Sequence, residues 1–324
     1  MLNPQLDRRG ELIHLLTTEG LPRRHVERLL DAAAGFAQED AAAASASAAT
    51  HAKTPGTPAA PCGAPLDLPL YLGLPADDAA LRRDYESAAR RLGLRPIVLD
   101  DDLPAGNIPA PAADLPPGIL VLRHAASGAA VSAAAAAPPG LRILNAGDGI
   151  HADPLPALAR VAAMLRARQD LTHLAVALVG DIRHSAVARS LIHAFTTLGV
   201  PEVRATAPRT LLPDGLPQLG VRACATLQEC LADADVVIVL PLHIESLSGA
   251  LLPSAREYAA ACGLTAARLA AAKPDALLLP GGRLTPGIEV DGELAASLTA
   301  IDAQLADTER HLRLAALSVL GAAP

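Results

Sequence analysis

The chain has 324 residues, which is enough for two domains of ordinary size with a hydrophobic core in each. Hydrophobic residues make up 51% of the sequence but aromatic residues only 2%, so the stacking surfaces that bind single-stranded nucleic acid are nearly absent. The formal net charge of −7 at pH 7 argues against a broad basic field for nucleic acid or anionic lipid.

The four cysteines, Cys62, Cys224, Cys230 and Cys262, show neither CxxC nor zinc-finger spacing. We interpret them as buried thiols of a reducing compartment. The first residues lack a basic head followed by an apolar run, and no stretch of about 18 apolar residues occurs, so neither a signal peptide nor a membrane span is predicted. A cytoplasmic location is therefore expected.

The first half of the chain predicts two helices and four short strands, of which 118–124 and 141–147 are expected to be buried. Apolar residues recur at helical spacing over 21–38, whereas the low-complexity stretch 40–66, rich in Ala, Pro and Ser, predicts a flexible surface excursion. A second irregular stretch, 100–118, carries five prolines and fits neither helix nor sheet. A helix is predicted over 77–93, and strands over 68–74, 95–99, 118–124 and 141–147.

The second half alternates apolar strands with helices. The strand predicted over 174–180 contains no polar residue and leads into a helix over 181–199, opened by Asp181 and closed by Gly199. Further strands are predicted over 202–207, 221–225, 235–242 and 275–281, with helices between them and a last helix over 301–319. This alternation predicts an α/β fold, with two doubly wound parallel-sheet domains in series.

The predicted domains are 1–150, which includes the insertion at 40–66, and 151–300; the helix in 301–324 is expected to pack back on the first domain. Ligands of such sheets bind beyond the carboxyl ends of the strands, so binding residues are sought just after each strand. Neither a Walker A sequence nor GxGxxG follows any predicted strand, and no cofactor is expected.

Long segments of the sequence carry a resemblance to a known family, in the order in which that family has them. Among them are NPQLDRRGELIHLLTTEGLP, VLRHAASGAA, NAGDGIHADP, VALVGDIRHSAVARSLIHAFTTLG and LAAAKPDALLLPGG. They resemble the catalytic chain of bacterial aspartate carbamoyltransferases, enzymes of pyrimidine biosynthesis. The resemblance implies a carbamoyl-phosphate domain followed by an aspartate domain, and trimers with active sites shared between neighbours. It also implies transfer of a carbamoyl group from carbamoyl phosphate to aspartate.

The family binds phosphate with a Ser-Thr-Arg-Thr-Arg run at the start of a helix. The resemblance aligns that run with Asp78, Ala79, Ala80, Leu81 and Arg82, so only the last arginine is kept. Asp78 adds negative charge where a phosphate would bind, and Arg82 could equally be a solvated helix residue. The family's Ser- and Lys-bearing loop, which enters the neighbouring subunit, corresponds to 98–117, where there is no Lys or Ser.

At the other positions of the implied carbamoyl-phosphate site, one family residue is kept and two are replaced. Arg123 matches the family arginine that contacts the carbamoyl-phosphate oxygens, although it could also persist as an ion pair at a strand end. The histidine that polarises the carbonyl falls on Asp153 and a glutamine falls on Pro156, so a carboxylate would face a developing oxyanion. His151 could substitute for that histidine, but a histidine in a surface loop is the alternative.

On the implied aspartate side, the arginine for the substrate carboxylate falls on Ala186. The family's Arg-x-Gln falls on Pro241 and His243, and a following arginine falls on Ser246. The histidine before the family's proline turn falls on Leu279.

Losing about four charge-assisted contacts would cost roughly 6–12 kcal/mol of ligand binding. The sequence therefore favours a catalytically inactive or severely impaired member that acts as a structural or regulatory subunit. Its expected partners are copies of itself in a homotrimer, or an active aspartate carbamoyltransferase or dihydroorotase. The alternative is a carbamoyltransferase acting on aspartate or another amino acceptor, with Arg82, Arg123, His151 and His243 as weak substrate-binding candidates.

Overall fold

The computed structural model describes residues 3–49, 66–99, 112–243 and 254–322. The chain divides into two compact units, the first within Met1–Thr17, Leu21–Leu155 and Asp307–Pro324, and the second within Thr18–Gly20 and Pro156–Ala306. Each unit contains one sheet, and all strand pairs of the described residues are parallel. The predicted α/β class, with two parallel-sheet units, is confirmed.

The first unit contains a four-stranded sheet with the order β2-β1-β3-β4. Its strands are β1 Pro69–Gly73, β2 Arg95–Val98, β3 Gly118–His124 and β4 Leu141–Asp148. Its helices are α1 Arg23–Ala49, α2 Ala79–Leu92 and α3 Ala129–Ala136. Helix α2 is held to its unit by one apolar face, because its buried residues recur at helical spacing: Leu81, Tyr85, Ala88, Ala89 and Leu92.

An extended N-terminal segment lies along the edge strand β4. Leu15 donates its backbone N–H to the Ile143 carbonyl at 2.9 Å, and Asn145 donates to the Leu15 carbonyl at 2.9 Å. Between these bonds, the Ile143 N–H donates to Nδ1 of His14 at 2.9 Å. The segment thus satisfies backbone groups that would otherwise be unpaired at the sheet edge.

The second unit contains a five-stranded sheet with the order β7-β6-β5-β8-β9. Its strands are β5 Ala175–Val179, β6 Glu202–Thr206, β7 Val221–Ala223, β8 Val236–Val239 and β9 Leu277–Pro280. The helices that follow in the chain are α4 Pro154–Arg168, α5 Ala186–Leu198, α6 Leu227–Leu231, α7 Ala255–Cys262, α8 Ala266–Leu269 and α9 Gly292–Gly321. None of the helices described is both long and apolar enough to cross a membrane.

The structure corrects the predicted start of helix α5. The helix begins at Ala186 rather than at Asp181, and its N-cap is Ser185, whose hydroxyl accepts the Ala188 N–H at 3.1 Å. The carboxylate of Asp181 instead contacts the backbone N–H and the imidazole of His184. The predicted end is confirmed, because Gly199 caps the helix in the left-handed conformation at φ 81°.

The predicted bounds of two further segments are wrong in part. Residues 40–49 of the predicted excursion 40–66 are helical, because α1 continues through an alanine-rich run of high helix propensity. The rest of that excursion up to residue 65, and residues 100–111 of the second irregular stretch, lie outside the described residues. The last helix is longer than the predicted 301–319, spanning Gly292–Gly321.

The Ser185 cap gives a testable stability difference. Ser185→Ala is expected to lower the free energy of unfolding by about 1 kcal/mol, because the Ala188 N–H loses its acceptor in a buried position. Urea denaturation followed by circular dichroism measures this loss. The matched control is Ser45→Ala in the exposed part of α1, where alanine is the better helix former and no loss is expected. Equal effects of the two substitutions would contradict the capping role.

Candidate functional site

In the first unit, charged residues from two strand ends meet at the start of helix α2. Arg123 is the sixth residue of β3, and Asp78 lies between β1 and α2. Nη1 of Arg123 lies 3.3 Å from Oδ2 of Asp78. The carboxylate of Asp78 also caps α2 by accepting the Leu81 N–H at 3.3 Å. The N-terminus of α2, where an anion would be expected to bind, therefore already has a carboxylate of the chain itself.

A second carboxylate, that of Asp153, lies near the end of β4. Gly147, near the end of β4, has φ +116°, and a Cβ built on it would lie 3.3 Å from Oδ2 of Asp153 and 4.0 Å from Cγ of Arg123. Asp153 can approach the strand end this closely because residue 147 is glycine. Both charges act on Tyr85, which is 1% exposed. Burial raises the pKa of its hydroxyl, Asp153 raises it further, and Arg123 lowers it.

The remaining residues of the aligned phosphate run provide little for a phosphate. Ala79 and Ala80 are exposed and Leu81 is buried, and none of the three has a polar side-chain atom. Arg82 is half-buried, and its Nη2 lies 3.5 Å from the Leu74 carbonyl oxygen. Arg82 is thus neither a fully solvated helix residue nor directed only toward a ligand.

His151 is bound to a buried aspartate at the end of β4. Its Nδ1 lies 3.1 and 3.0 Å from the two carboxylate oxygens of Asp148, which also accept the Ala152 N–H at 2.9 Å. The side chain of His151 is 22% exposed and that of Asp148 only 1%. His151 therefore lies in a turn with its imidazole partly buried, because it is held against the Asp148 carboxylate.

In the second unit, the carboxylate of Asp181 follows β5 and lies between two histidines. Nδ1 of His184 is 3.0 Å from each of its oxygens, and Nδ1 of His243 is 3.6 Å from Oδ2. The backbone N–H groups of His184 and His243 donate to the same carboxylate at 3.2 and 3.4 Å. The Asp181 side chain is fully buried. Burial raises its pKa, but the hydrogen bonds from His243 and His184 outweigh burial, and the pKa lies below its usual range.

The other aligned positions in this unit carry no cation. Ala186 is the first residue of α5 and Pro241 follows β8, while Ser246 lies outside the described residues. The carbonyl of Pro156 accepts Nη1 of Arg160 at 2.9 Å, and Nε of the same arginine donates to the Pro280 carbonyl at 2.9 Å. The buried guanidinium of Arg160 thus donates hydrogen bonds to backbone carbonyls of its own unit.

Sequence reasoning missed the two aspartate–histidine pairs, although the sequence contains a signal for them. Gly-Asp-x-x-His occurs at 147–151, where β4 ends, and again at 180–184, just after β5. In both places the glycine has positive φ, +116° for Gly147 and +127° for Gly180, so that the next residue turns its carboxylate onto the histidine three positions later. Among the residues with described placement, no group of three or more His, Cys, Asp or Glu is arranged to hold a metal ion.

Comparison with solved structures identifies the fold. The chain is similar to ornithine carbamoyltransferase from Gloeobacter violaceus, with 18% identity and a TM-score of 0.70 over 96% of this chain and 99% of that one. It is similar to the Pyrococcus furiosus ornithine carbamoyltransferase, with 18% identity and a TM-score of 0.72 over 96% and 98% of the two chains. It is also similar to the Trypanosoma cruzi aspartate transcarbamoylase in complex with carbamoyl aspartate and phosphate, with 19% identity and a TM-score of 0.72 over 98% of each chain.

These likenesses confirm the predicted carbamoyltransferase fold over almost the whole chain. No protein-family model matches the sequence. At this level of identity the fold is shared, while the chemistry of the individual positions has to be argued from the residues themselves.

Proposed function

We propose that this chain is a non-catalytic protein of the carbamoyltransferase fold, serving as a structural or regulatory subunit. The observation that carries the proposal is the contact of Arg123 with Asp78 at the N-terminus of α2. The arginine is the best-matched functional position of the sequence, and its guanidinium is paired with a carboxylate where carbamoyl phosphate would need a cation.

The magnitudes identify which effect opposes phosphate binding. The side chains of Arg123 and Asp78 are 44% and 28% exposed, so the ion pair itself is worth only about 0–1 kcal/mol and a ligand could break it. Repulsion between the carboxylate and a phosphate about 4 Å away is larger, roughly 1 kcal/mol in water and 4 kcal/mol at the screening typical of a protein surface. Asp153, which lies against Gly147 near the end of β4, adds a second negative charge in the same unit. Repulsion of the phosphate by the carboxylates therefore opposes binding more strongly than the cost of breaking the Arg123–Asp78 ion pair.

A titration with a bisubstrate analogue tests the proposal. The Trypanosoma cruzi aspartate transcarbamoylase has been crystallised with N-(phosphonacetyl)-L-aspartic acid, which carries both the phosphonate and the dicarboxylate. We expect no heat of binding for this chain at micromolar concentrations, and no carbamoyl aspartate formed from carbamoyl phosphate and aspartate. Micromolar or tighter binding, or turnover of carbamoyl phosphate with any amine, would contradict the proposal.

One substitution separates the charge of Asp78 from its capping role. Serine also caps helices well, so Asp78→Ser keeps the cap of α2 while removing the negative charge. The affinity for the phosphonate is expected to rise by at least about tenfold, since 1.4 kcal/mol corresponds to a factor of ten. The matched control is Asp77→Ser at the exposed neighbouring position, which should leave the affinity unchanged. An unchanged affinity in Asp78→Ser would show that this carboxylate does not block the site.

The subunit role needs a separate test. The fold is kept over almost the full length of the neighbouring structures, whereas the aligned cationic positions are not, as expected for a protein retained for assembly. We expect the tagged chain, purified from its native cells, to elute as a homotrimer or together with an active aspartate carbamoyltransferase or dihydroorotase. A strictly monomeric chain under these conditions would contradict the subunit role.

A further inference from the structure

A cavity of about 490 Å³ lies in the second unit, next to the carboxyl ends of β6 and β7. Ala207, which directly follows β6, and Ala223, the last residue of β7, both line it. Ligands of parallel sheets bind beyond this end of the strands, and cavities of roughly 300–1,000 Å³ commonly hold small molecules. None of the described residues that line the cavity is a position aligned with the substrate-binding groups of carbamoyltransferases. The cavity is therefore a candidate binding site separate from those positions.

The lining of the cavity is mostly aliphatic. Leu212, Pro213, Leu216 and Pro217 contribute its larger apolar side chains, and alanines contribute smaller ones. None of the described lining residues is aromatic, so a ligand ring would find no partner on which to stack. A ligand with an aliphatic body would be stabilised here, because its apolar surface would be removed from water.

Two charged side chains of opposite sign, Arg209 and Asp214, also line the cavity. Both residues are exposed, and within the part of the chain that the structure describes neither side chain forms a hydrogen bond or an ion pair. Arg204 of the neighbouring strand differs, because its Nε lies 2.7 Å from Oε1 of Glu202. A guanidinium binds carboxylates and a carboxylate binds ammonium groups, so both charges on the lining are available to a ligand.

The loop that carries both charges is held in place by its own unit. The Arg183 backbone N–H donates to the Leu211 carbonyl at 2.9 Å, and Nη2 of Arg183 donates to the Leu212 carbonyl at 2.8 Å. Leu211 and Leu216 are buried, and the Leu216 carbonyl accepts the Val221 N–H at 3.0 Å. A loop fixed in this way does not have to be ordered by a ligand, which lowers the entropic cost of binding.

We propose that this cavity binds a small zwitterion with an aliphatic body, which is the chemistry of an aliphatic amino acid or of a dipeptide built from such residues. Its carboxylate binds the guanidinium of Arg209, its ammonium group binds the carboxylate of Asp214, and its aliphatic part packs on the leucines and prolines of the lining. The site uses none of the positions from which the inactive, subunit-like character was inferred, so it goes beyond the proposed function.

Calorimetric titration of the full chain with leucine and with leucyl-leucine tests the proposal and separates the two sources of the same chemistry. We expect saturable binding of at least one of them at millimolar concentration or below. Acetylating the amine or amidating the carboxylate of the bound compound should weaken its affinity by about three- to tenfold, because each change removes one charge-assisted contact at an exposed position. These comparisons use the unsubstituted chain, so they do not depend on whether a variant folds.

Two substitutions assign each contact to its residue. Arg209→Gln and Asp214→Asn should each weaken binding by about three- to tenfold, whereas Arg256→Gln, at an exposed position of α7 outside the cavity lining, should leave it unchanged. Amidation should cost no further affinity in Arg209→Gln, and acetylation none in Asp214→Asn, because the contact is already absent.

Two results would overturn the proposal. One is the absence of saturable binding of both compounds at millimolar concentration, and the other is binding that Arg209→Gln and Asp214→Asn leave as strong as in the control variant. The titrations involve neither carbamoyl phosphate nor its phosphonate analogue, so their failure is distinguishable from failure of the proposed function.

Discussion

Asp181→Ala is expected to lower the free energy of unfolding by about 3–5 kcal/mol, because removing one partner from a buried charged pair typically costs this much. The fully buried carboxylate accepts hydrogen bonds from the backbone of His184 and of His243. It also binds the imidazole of His184 at 3.0 Å. Alanine would leave these donors without an acceptor inside the unit, and each unsatisfied group costs roughly 1–3 kcal/mol.

Urea denaturation measures the loss, and amide hydrogen exchange in β5 and α5 assigns it to the second unit. Asp214→Ala, at an exposed position of the same unit, is the matched control and should change stability by less than about 0.5 kcal/mol. A loss in Asp181→Ala no larger than in this control would mean that the carboxylate does not organise its loop.

The direction of the pH dependence follows from the same contacts. The pKa of Asp181 in the folded chain lies below its unfolded value, so the folded form holds its proton less tightly. Its contribution is therefore fully present above the unfolded pKa and is lost as the pH falls through the folded pKa. Acid should weaken the native protein more than the Asp181→Ala variant.

Strand and helix order could be predicted from the sequence because each buried strand is an apolar run and each helix has its own periodicity. The strand predicted over 118–124 has these same bounds in the structure, and that over 202–207 is one residue longer than observed. These elements are buried on both faces of parallel sheets, where hydrophobicity alone specifies the strand. The fold class was accessible for this reason.

The predicted helix boundaries were wrong where the same residue type can have two structural roles. Asp181 and Ser185 are both good N-cap residues, and the sequence does not reveal that the aspartate is bound to histidines while the serine caps α5. Residues 40–49 look like a low-complexity linker by composition, but alanine also has the highest helix propensity, and here α1 continues through them.

The candidate site was predicted in part. The sequence identified Arg123 and the added charge of Asp78 separately, and left open whether the arginine would contact a ligand or form an ion pair at the strand end. The structure joins the two residues at 3.3 Å, although they are far apart in the chain. Such a pairing depends on the order β1-β3 within the sheet, which brings both strand ends to one edge. Local pattern cannot supply that information.

Protonation of His14 makes the attachment of the N-terminal segment to β4 depend on pH. Nδ1 of His14 accepts the Ile143 N–H, so the imidazole must be neutral on that nitrogen, and a proton there would break the bond. Burial, and then the positive charge of Arg142, lower its pKa from 6.5 to about 4. Between these values the unfolded chain binds more protons than the folded chain, so stability rises with pH across this window.

The expected consequence is a loss of roughly 3 kcal/mol in the stability of the first unit as the pH falls from 6.5 to about 4. His14→Asn removes the titration but keeps an acceptor for the Ile143 N–H, because its side-chain oxygen can replace Nδ1. The variant should lose this part of the pH dependence, as measured by urea denaturation at several pH values with hydrogen exchange in β4 as the local readout. His173→Asn, at a residue whose side chain is 83% exposed, serves as the control and should leave the slope unchanged. If His14→Asn keeps the full slope, other groups must account for the acid sensitivity of the first unit, and the neutral imidazole at the β4 edge is not its cause.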